Sequence, residues 1–344
     1  MDEIGRNYLA LALHLDRHFE GFVDAYFGPE EIKEAVQTGE PRPLAALADD
    51  AQQLQAAIEA AGYDAQRTEF LGKQVRAMAA VVRNLAGDRL PFMEEVEFYF
   101  DIRPEMEDEA VFEEAHAALD RLLPGEGALA ERLEAWKEGM ELETERVLPV
   151  FELALKETRR RTSTLFELPE GENLTLELVS DQPWSAYNWY LGNYESRVEL
   201  NTDLPLRADS AIPLQAHEAY PGHHTEHALK EQLLYHDQGR GEHAVQLLLA
   251  PECVLSEGIA NSGREMIFDD QALAAFLGQA LYPLAGLPEV DVERQLGLAR
   301  ASKGLRRVSA NAALLLHREG RSAEEVQGYV MRYGLSTPKE AEQT

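Results

Sequence analysis

The sequence has little cysteine and no long apolar run, and each shortage excludes a class of protein. Among 344 residues there is a single cysteine, Cys253, so neither an internal disulfide nor a cysteine-based zinc knuckle can form. Cys253 lies in an apolar run, which favours a buried small residue over a nucleophile. No apolar run reaches the roughly 18 residues that a membrane span needs, so we expect no transmembrane helix.

Positive charge is also scarce. There are 32 lysines and arginines against 62 aspartates and glutamates, which gives a net charge of −30. Such a surface repels phosphates, so we expect neither nucleic acid nor an anionic membrane as a partner. The first residues are acidic, and Asn7, His14 and Asp16 interrupt their apolar positions, which argues against a signal peptide. We therefore predict a cytoplasmic protein from a reducing compartment. The oligomeric state cannot be predicted.

The apolar pattern predicts a mainly α (α+β) fold. Apolar residues recur at helical spacing from residue 2 to about residue 160, and the last helix of this part, about 128–160, should bend at Pro149. Three short alternating or aromatic-rich runs then predict a small antiparallel sheet over 172–202. We expect one compact unit made of two regions. These are an N-terminal helical region, 1–165, and a catalytic region, 166–344, with the sheet, metal-site helices over 209–268 and C-terminal helices over 270–335.

One stretch, QAHEAYPGHHTEHAL at 215–229, concentrates groups that bind metals. It holds four of the ten histidines and two glutamates within eleven residues. Neutral imidazoles are typical zinc ligands, and a glutamate beside them can take a proton from the metal-bound water. The stretch is a variant of the HExxH motif in which Pro221 stands at the place of the second histidine. We predict that it binds one Zn²⁺.

The spacing of the histidines requires a break in the helix. His223 and His224 follow His217 by six and seven residues, and a straight helix would place His224 about 10.5 Å along the axis from His217. His223 would point to another side of such a helix, so neither histidine could share a zinc ion with His217. Pro221 and Gly222 allow a distortion that loops out two residues and makes His223 the second ligand, with His224 as the substitute. Alternatively, Pro-Gly ends one helix and the histidines cap the next.

The third ligand is expected from a later helix, PECVLSEGIANSGREMI. Glu257 is the first choice, because apolar neighbours surround it and would be unusual around a solvated glutamate. Glu252 and Glu265 are the alternatives. Glu265 lies about two turns further along and could instead support a ligand from behind.

HEAYPGHH followed by SEGIA resembles the domain-of-unknown-function 885 family, which is grouped with the zincin-type, gluzincin-like zinc peptidases. SEGIA is also similar to the metal-binding NEGFA segment of zinc aminopeptidases. The resemblance covers mainly residues 197–332, including RVELNTDLP and LLLH, and extends more loosely to FVDAYFGPE. It implies a zincin-like fold, with His217, His223 and Glu257 as ligands and Glu218 as general base. Members of this family are usually longer at the C-terminus, so we expect that a C-terminal segment is missing.

The resemblance also implies a hydrolytic function. Glu218 would activate the metal-bound water for attack on a peptide or small amide substrate, and another residue would stabilise the oxyanion. His317 is favoured as this donor because the family has a histidine there, with Tyr220 and Tyr282 as alternatives and a structural role for His317 left open. Two other functions remain, a metal-dependent hydrolase of non-peptide amides or esters, and a helical scaffold whose metal is structural or lost. Endo- and exopeptidase activity cannot be distinguished.

Overall fold

The computed structural model describes residues 1–343. Its helices, in chain order, are α1 Glu3–Asp16, α2 Glu30–Thr38, α3 Leu44–Ala60, α4 Ala65–Leu85, α5 Phe92–Phe100, α6 Glu109–Leu122, α7 Leu129–Glu138, α8 Thr144–Thr162, α9 Ala211–Glu218, α10 His223–Lys230, α11 Pro251–Ile267, α12 Asp270–Phe276, α13 Tyr282–Ala285, α14 Val292–Ser302, α15 Val308–Ala313, α16 Ala323–Gly334 and α17 Pro338–Gln343. Its strands are β1 Val23–Tyr26, β2 Asn173–Val179, β3 Ala186–Gly192, β4 Glu195–Asn201 and β5 Val245–Leu247. The predicted class, mainly α with a small β component, is confirmed.

The chain divides into two compact units that each collect three separate segments. Unit 1 comprises residues 1–102, 154–204 and 212–267, and unit 2 comprises residues 103–153, 205–211 and 268 onward. Both units therefore take residues from each of the two regions, 1–165 and 166–344, that the sequence suggested. Within the described residues, none of the helices combines the length and the apolar character needed to cross a membrane.

The core of unit 1 is built on α1, α3 and α4. Asp2 caps α1 by accepting a hydrogen bond from the Gly5 amide at 2.8 Å, which satisfies one of the free amide groups of the first turn. The apolar stripes of the three helices then face one another and bury large side chains, including Tyr8, Leu9, Leu15, Leu47, Ile58, Leu71 and Met78. Strand β5 packs on the same core through Val245 and Leu247.

Unit 1 also contains a two-stranded antiparallel sheet that the sequence reading missed. Strand β1 pairs with β5, with Val23 opposite Leu247 and Tyr26 opposite Val245. The stretch 2–160 was predicted to be helical almost throughout, and this is wrong at β1. The segment FVDAYF is rich in aromatic and β-branched residues and is followed by Gly28-Pro29, which are the features of a short strand.

The three-stranded sheet of unit 1 is mixed, so the predicted antiparallel arrangement is wrong in part. Its order is β2-β4-β3, with β4 parallel to β2 and antiparallel to β3. The loop after β2 crosses the end of β4 before β3 begins. Asn201 donates hydrogen bonds to the carbonyls of Gln182 and Trp184, and Asp203 accepts from the amide of Asp181, which holds this crossing. Strand β3 consequently forms one edge of the sheet.

Unit 2 is helical among its described residues. The single helix expected over 128–160 is instead two helices, because the segment after Gly139 pairs with residues 205–208: Leu142 donates to the Leu206 carbonyl at 2.9 Å, and Ala208 donates to that of Met140 at 2.9 Å. Pro149 lies inside α8. The capping box that Ser322 and Glu325 predict at the start of α16 is confirmed.

Candidate metal centre

The histidine-rich stretch folds as two helices joined by a tight connection. Helix α9 ends at Glu218 and α10 begins at His223, so Pro221 and Gly222 end one helix rather than form a bulge inside it. A β-carbon on Gly222 would lie 1.8 Å from the carbonyl oxygen of His217. Only glycine therefore allows the start of α10 to pack against the last turn of α9. This close approach compensates for the long spacing of the histidines.

Helix α11 also approaches this turn of α9 closely. A β-carbon on Gly263 would lie 2.4 Å from the carbonyl oxygen of Ala216, so α11 can lie here only because this position is glycine. Glu257 lies on the same helix, about two turns earlier. The glycine contact thus sets the distance between α11, which carries Glu257, and α9, which carries His217.

Three predicted ligands come together where these helices meet. The Nε2 atom of His217 lies 3.7 Å from one carboxylate oxygen of Glu257, and that of His223 lies 3.4 Å from the other. The candidate ligand atoms of all three residues lie within 4.8 Å of one another. A tetrahedral zinc ion with ligands at about 2.0–2.1 Å separates them by about 3.3 Å, so the two-nitrogen, one-carboxylate set fits zinc. The hydrogen bond from His223 lowers the pKa of Glu257 and keeps this carboxylate charged.

A buried chain of hydrogen bonds holds the His223 ring. Its Nδ1 atom lies 3.1 Å from the Ser256 hydroxyl, which in turn donates to the Glu226 carboxylate. Lys230 lies 3.1 Å from Glu226. Burial disfavours charge on Glu226, but the nearby positive charges, that of Lys230 above all, outweigh it and lower the pKa to about 2. An imidazole bound through Nδ1 in this way presents Nε2 to a metal.

Glu218 lies beside the three ligands with its carboxylate unpaired. Its side chain is buried, and its carboxylate accepts no hydrogen bond from any residue in the described part of the chain. Burial raises the pKa of Glu218 to about 7; the His223 ring opposes this, while Glu257 and Asp24 add to it. A carboxylate with a pKa near neutrality suits a group that exchanges protons during a reaction.

These residues open into one cavity of about 230 Å³. Strands β1, β3 and β5 and helices α9, α10 and α11 contribute to its walls, and every lining residue belongs to unit 1. The lining consists of Asp24, Ala186, Tyr187, Asn188, His217, Glu218, His223, His227, Gln246, Leu248, Cys253, Ser256 and Glu257. Cys253 is half-buried in this wall rather than fully buried as predicted, and burial raises the pKa of its thiol to about 11.

Two of the alternative site residues, His224 and Tyr220, belong to a separate buried hydrogen-bond network. His224 is fully buried, with Nδ1 2.8 Å from the Ser196 hydroxyl and Nε2 3.0 Å from the Glu172 carboxylate. Tyr220 donates its hydroxyl hydrogen to the same carboxylate. Both ring nitrogens of His224 therefore have partners, whereas His223 is the histidine that lies with His217 and Glu257.

The alternative glutamates also lie elsewhere. Glu252 is buried, 2.5 Å from the Lys230 ammonium group, and it accepts a hydrogen bond from Gln74 at 3.1 Å. Glu265 pairs with Arg264 at 2.6 Å, and within the described residues neither glutamate lines the cavity. Glu257 is therefore the carboxylate of α11 that meets the histidines.

The remaining oxyanion candidates belong to unit 2. His317 lies in the segment Leu314–Arg318, and Tyr282 is buried at the start of α13. Their role as oxyanion donors stays a prediction.

Sequence reasoning missed several residues of the cavity. Asp24 lies on β1, and Tyr187 and Asn188 lie on β3. A short strand at Asp24 was readable from its neighbours, but no local signal relates it to a motif almost two hundred residues later. Ser256 directly precedes Glu257 in the sequence, but only the structure reveals its hydrogen bond with the His223 ring.

Comparison with known proteins indicates the fold alone. No protein-family model matches the chain, and a search of curated proteins found no match. The chain is similar to the crystal structure of a candidate lipoprotein from Colwellia psychrerythraea, with a TM-score of 0.50 and 16% sequence identity. The match covers 90% of this chain and 60% of that structure, so the chain spans less than two thirds of its neighbour. The resemblance to the domain-of-unknown-function 885 family stays a prediction.

The comparison overturns the predicted cytoplasmic location. The structurally similar protein is described as a lipoprotein, whereas our prediction was based on acidity and on the single cysteine. Those properties report charge and the absence of disulfides, and proteins on either side of a membrane can share them. The prediction is withdrawn.

Proposed function

We propose that this protein is a zinc-dependent hydrolase that cleaves peptide bonds. The observation that carries the proposal is the meeting of His217, His223 and Glu257 within 4.8 Å, beside the unpaired carboxylate of Glu218 in an open cavity. Three protein ligands with an accessible fourth position are typical of catalytic zinc sites, whereas structural sites are closed by four. This difference favours an enzyme over a helical scaffold with a structural metal.

The residues of the chain take separate roles in this proposal. When bound, zinc would supply Lewis acidity, which polarises a carbonyl group and makes water a nucleophile at neutral pH. Glu218 takes the proton from the attacking water and delivers it to the leaving amine. Ser256 and Glu226 hold the ring of His223 and so keep the ligand geometry fixed.

The position of β3 favours a peptide over another amide or ester. This strand is an edge of its sheet, and three consecutive residues of it, Ala186, Tyr187 and Asn188, line the cavity. An extended peptide can pair with an exposed strand edge through main-chain hydrogen bonds. The Asn188 side chain also donates a hydrogen bond of 2.6 Å to the Glu218 carbonyl, which ties the strand to the end of α9.

Metal analysis and three variants, two of them a matched pair on α11, test the proposal. The purified protein should hold one zinc ion per chain and lose peptidase activity to a chelator. Glu218→Gln should keep the zinc and lose activity by about 10²–10⁴-fold, the usual contribution of a general base. Glu257→Gln should lose the zinc, whereas Glu265→Gln on the same helix should retain both zinc and activity. Absence of stoichiometric zinc, or full activity of Glu218→Gln, would refute the proposal.

A further inference from the structure

The lining of the cavity is acidic beyond what the proposed chemistry uses. It contains the carboxylates of Asp24, Glu218 and Glu257 and neither lysine nor arginine among the described residues. Glu257 is a ligand and Glu218 is the proposed base, so Asp24 has no part in the reaction described above. Asp24 is therefore a carboxylate with no basic residue of the described lining opposite it. Such a carboxylate attracts a cationic group of the substrate.

Asp24 is placed to use its charge. It lies at a β-bulge in β1, between Val23 and Ala25, and bulges next to active sites commonly redirect a side chain. The Tyr187 hydroxyl donates a hydrogen bond to Oδ1 of Asp24 and fixes the carboxylate. The other oxygen, Oδ2, accepts no hydrogen bond from the described residues.

A second polar group faces the same space without a partner. The side chain of His227 lines the cavity and is only 6% exposed, yet neither ring nitrogen forms a hydrogen bond with a residue in the described part of the chain. A neutral imidazole keeps one ring nitrogen as a hydrogen-bond acceptor. The side-chain amide oxygen of Asn188, Oδ1, is likewise buried and has no hydrogen-bond partner among the described residues. The cavity therefore offers acceptors to a group with several hydrogens to donate.

An ammonium group has this chemistry, with one positive charge and three donors. A peptide carries such a group at its amino end. The carboxylate at the other end is most strongly bound by arginine or lysine, and the described lining contains neither.

We propose that Asp24 binds the free α-amino group of the substrate, so that the enzyme cleaves peptides at their amino end. This inference rests on the proposed hydrolase function and specifies its substrate. Tyr187 is a positioning residue in this assignment, because it acts through Asp24.

The test uses the zinc-loaded protein and three matched substrates: a short peptide with a free amino end, the same peptide N-acetylated, and a longer peptide blocked at both ends. A charged hydrogen bond lost from a buried site costs about 10- to 100-fold in kcat/KM. The wild type should prefer the free peptide over its acetylated form by at least this factor. Asp24→Asn should lose about the same factor on the free peptide and none on the acetylated one, whereas exposed Asp49→Asn should match the wild type on all three.

The outcomes separate this inference from the proposed function. Equal cleavage of free, acetylated and blocked peptides by the wild type would overturn the role of Asp24 and leave the hydrolase intact. No cleavage of any of them by the zinc-loaded protein would overturn both. Zinc content and melting temperature of Asp24→Asn report whether it folds. If it does not, competition decides: an unhydrolysed amine-bearing amino acid amide should inhibit the wild type, and its acetylated form should not.

Discussion

The substitution Gly222→Ala is the sharpest test of how the metal centre is assembled. A methyl group at this position would lie 1.8 Å from the carbonyl oxygen and 2.5 Å from the carbonyl carbon of His217. Both atoms are backbone, so no side-chain rotation can relieve the clash. The start of α10 must move away from the end of α9 by more than 1 Å to reach even a tight 3.0 Å contact.

The consequences for stability and for zinc can be estimated from this displacement. Overpacking against fixed atoms typically costs 1–3 kcal/mol, and here we expect about 3 kcal/mol, since neither contact can yield. His223 begins α10 and would move with it, away from His217 and Glu257. A displacement of about 1 Å exceeds the roughly 0.2 Å that zinc–ligand distances tolerate, so the site should lose its ion.

Unfolding by denaturant in the metal-free state and zinc titration against a coloured chelator measure the two effects separately. Gly258→Ala is the matched control. Gly258 lies on α11 next to Glu257, with no neighbouring atom within 4 Å of an added β-carbon, so it should keep its zinc and gain up to about 1 kcal/mol from helix propensity. Zinc binding by Gly222→Ala at wild-type affinity would refute the assembly described here.

Two further predictions concern the groups behind the ligands. Ser256→Ala removes the hydrogen-bond partner of His223 Nδ1 and should weaken zinc binding about 10- to 100-fold in the chelator titration; unchanged affinity would deny Ser256 its orienting role. Glu172 is buried, which would by itself raise its pKa, but hydrogen bonds from His224 and others lower it to about 2 from the usual 4.5. Its contribution to stability, up to about 3 kcal/mol, should be complete above pH 4.5 and fall away as the pH drops towards 2. Glu172→Gln should flatten this part of the stability–pH curve of the metal-free protein, and an unaltered slope would contradict the assignment.

Local patterns predicted the parts of the fold that depend on neighbours in the sequence. Helical spacing indicated α11 with Glu257 on it, and Ser322 followed by Glu325 indicated the start of α16. The position of β4 between β2 and β3 was not predictable from the alternation of apolar and polar residues. The same alternation suits a strand with a parallel neighbour and a strand with an antiparallel one. Hydrogen bonds from the side chain of Asn201, the last residue of β4, hold the loop that crosses the end of this strand, and alternation gives no sign of them.

Contacts between distant segments account for most of what was missed at the site. Asp24 reaches the cavity because β1 pairs with β5, and this pairing joins the first and the last of the three sequence segments that form unit 1. A lone aspartate in a short strand gives no sign of such a pairing. The role proposed for Asp24 can be inferred only when the lining is known, because Asp24 is then the carboxylate that is neither a proposed ligand nor the proposed base.

The six-residue spacing of His217 and His223 was the strongest objection to a zinc site. Two glycines remove this objection, because they let the helices pack closely enough to bring the histidines together. The last turn of α9 presents the carbonyl oxygens of Ala216 and His217, and each is approached by the backbone of another helix, at Gly263 from α11 and at Gly222 from α10. Backbone packing at these two points brings together the three helices that carry the proposed ligands, without any continuous helical register. Ligands that are brought together by such contacts do not need the four-residue spacing of HExxH. They need glycine at the two positions where any side chain would separate the helices.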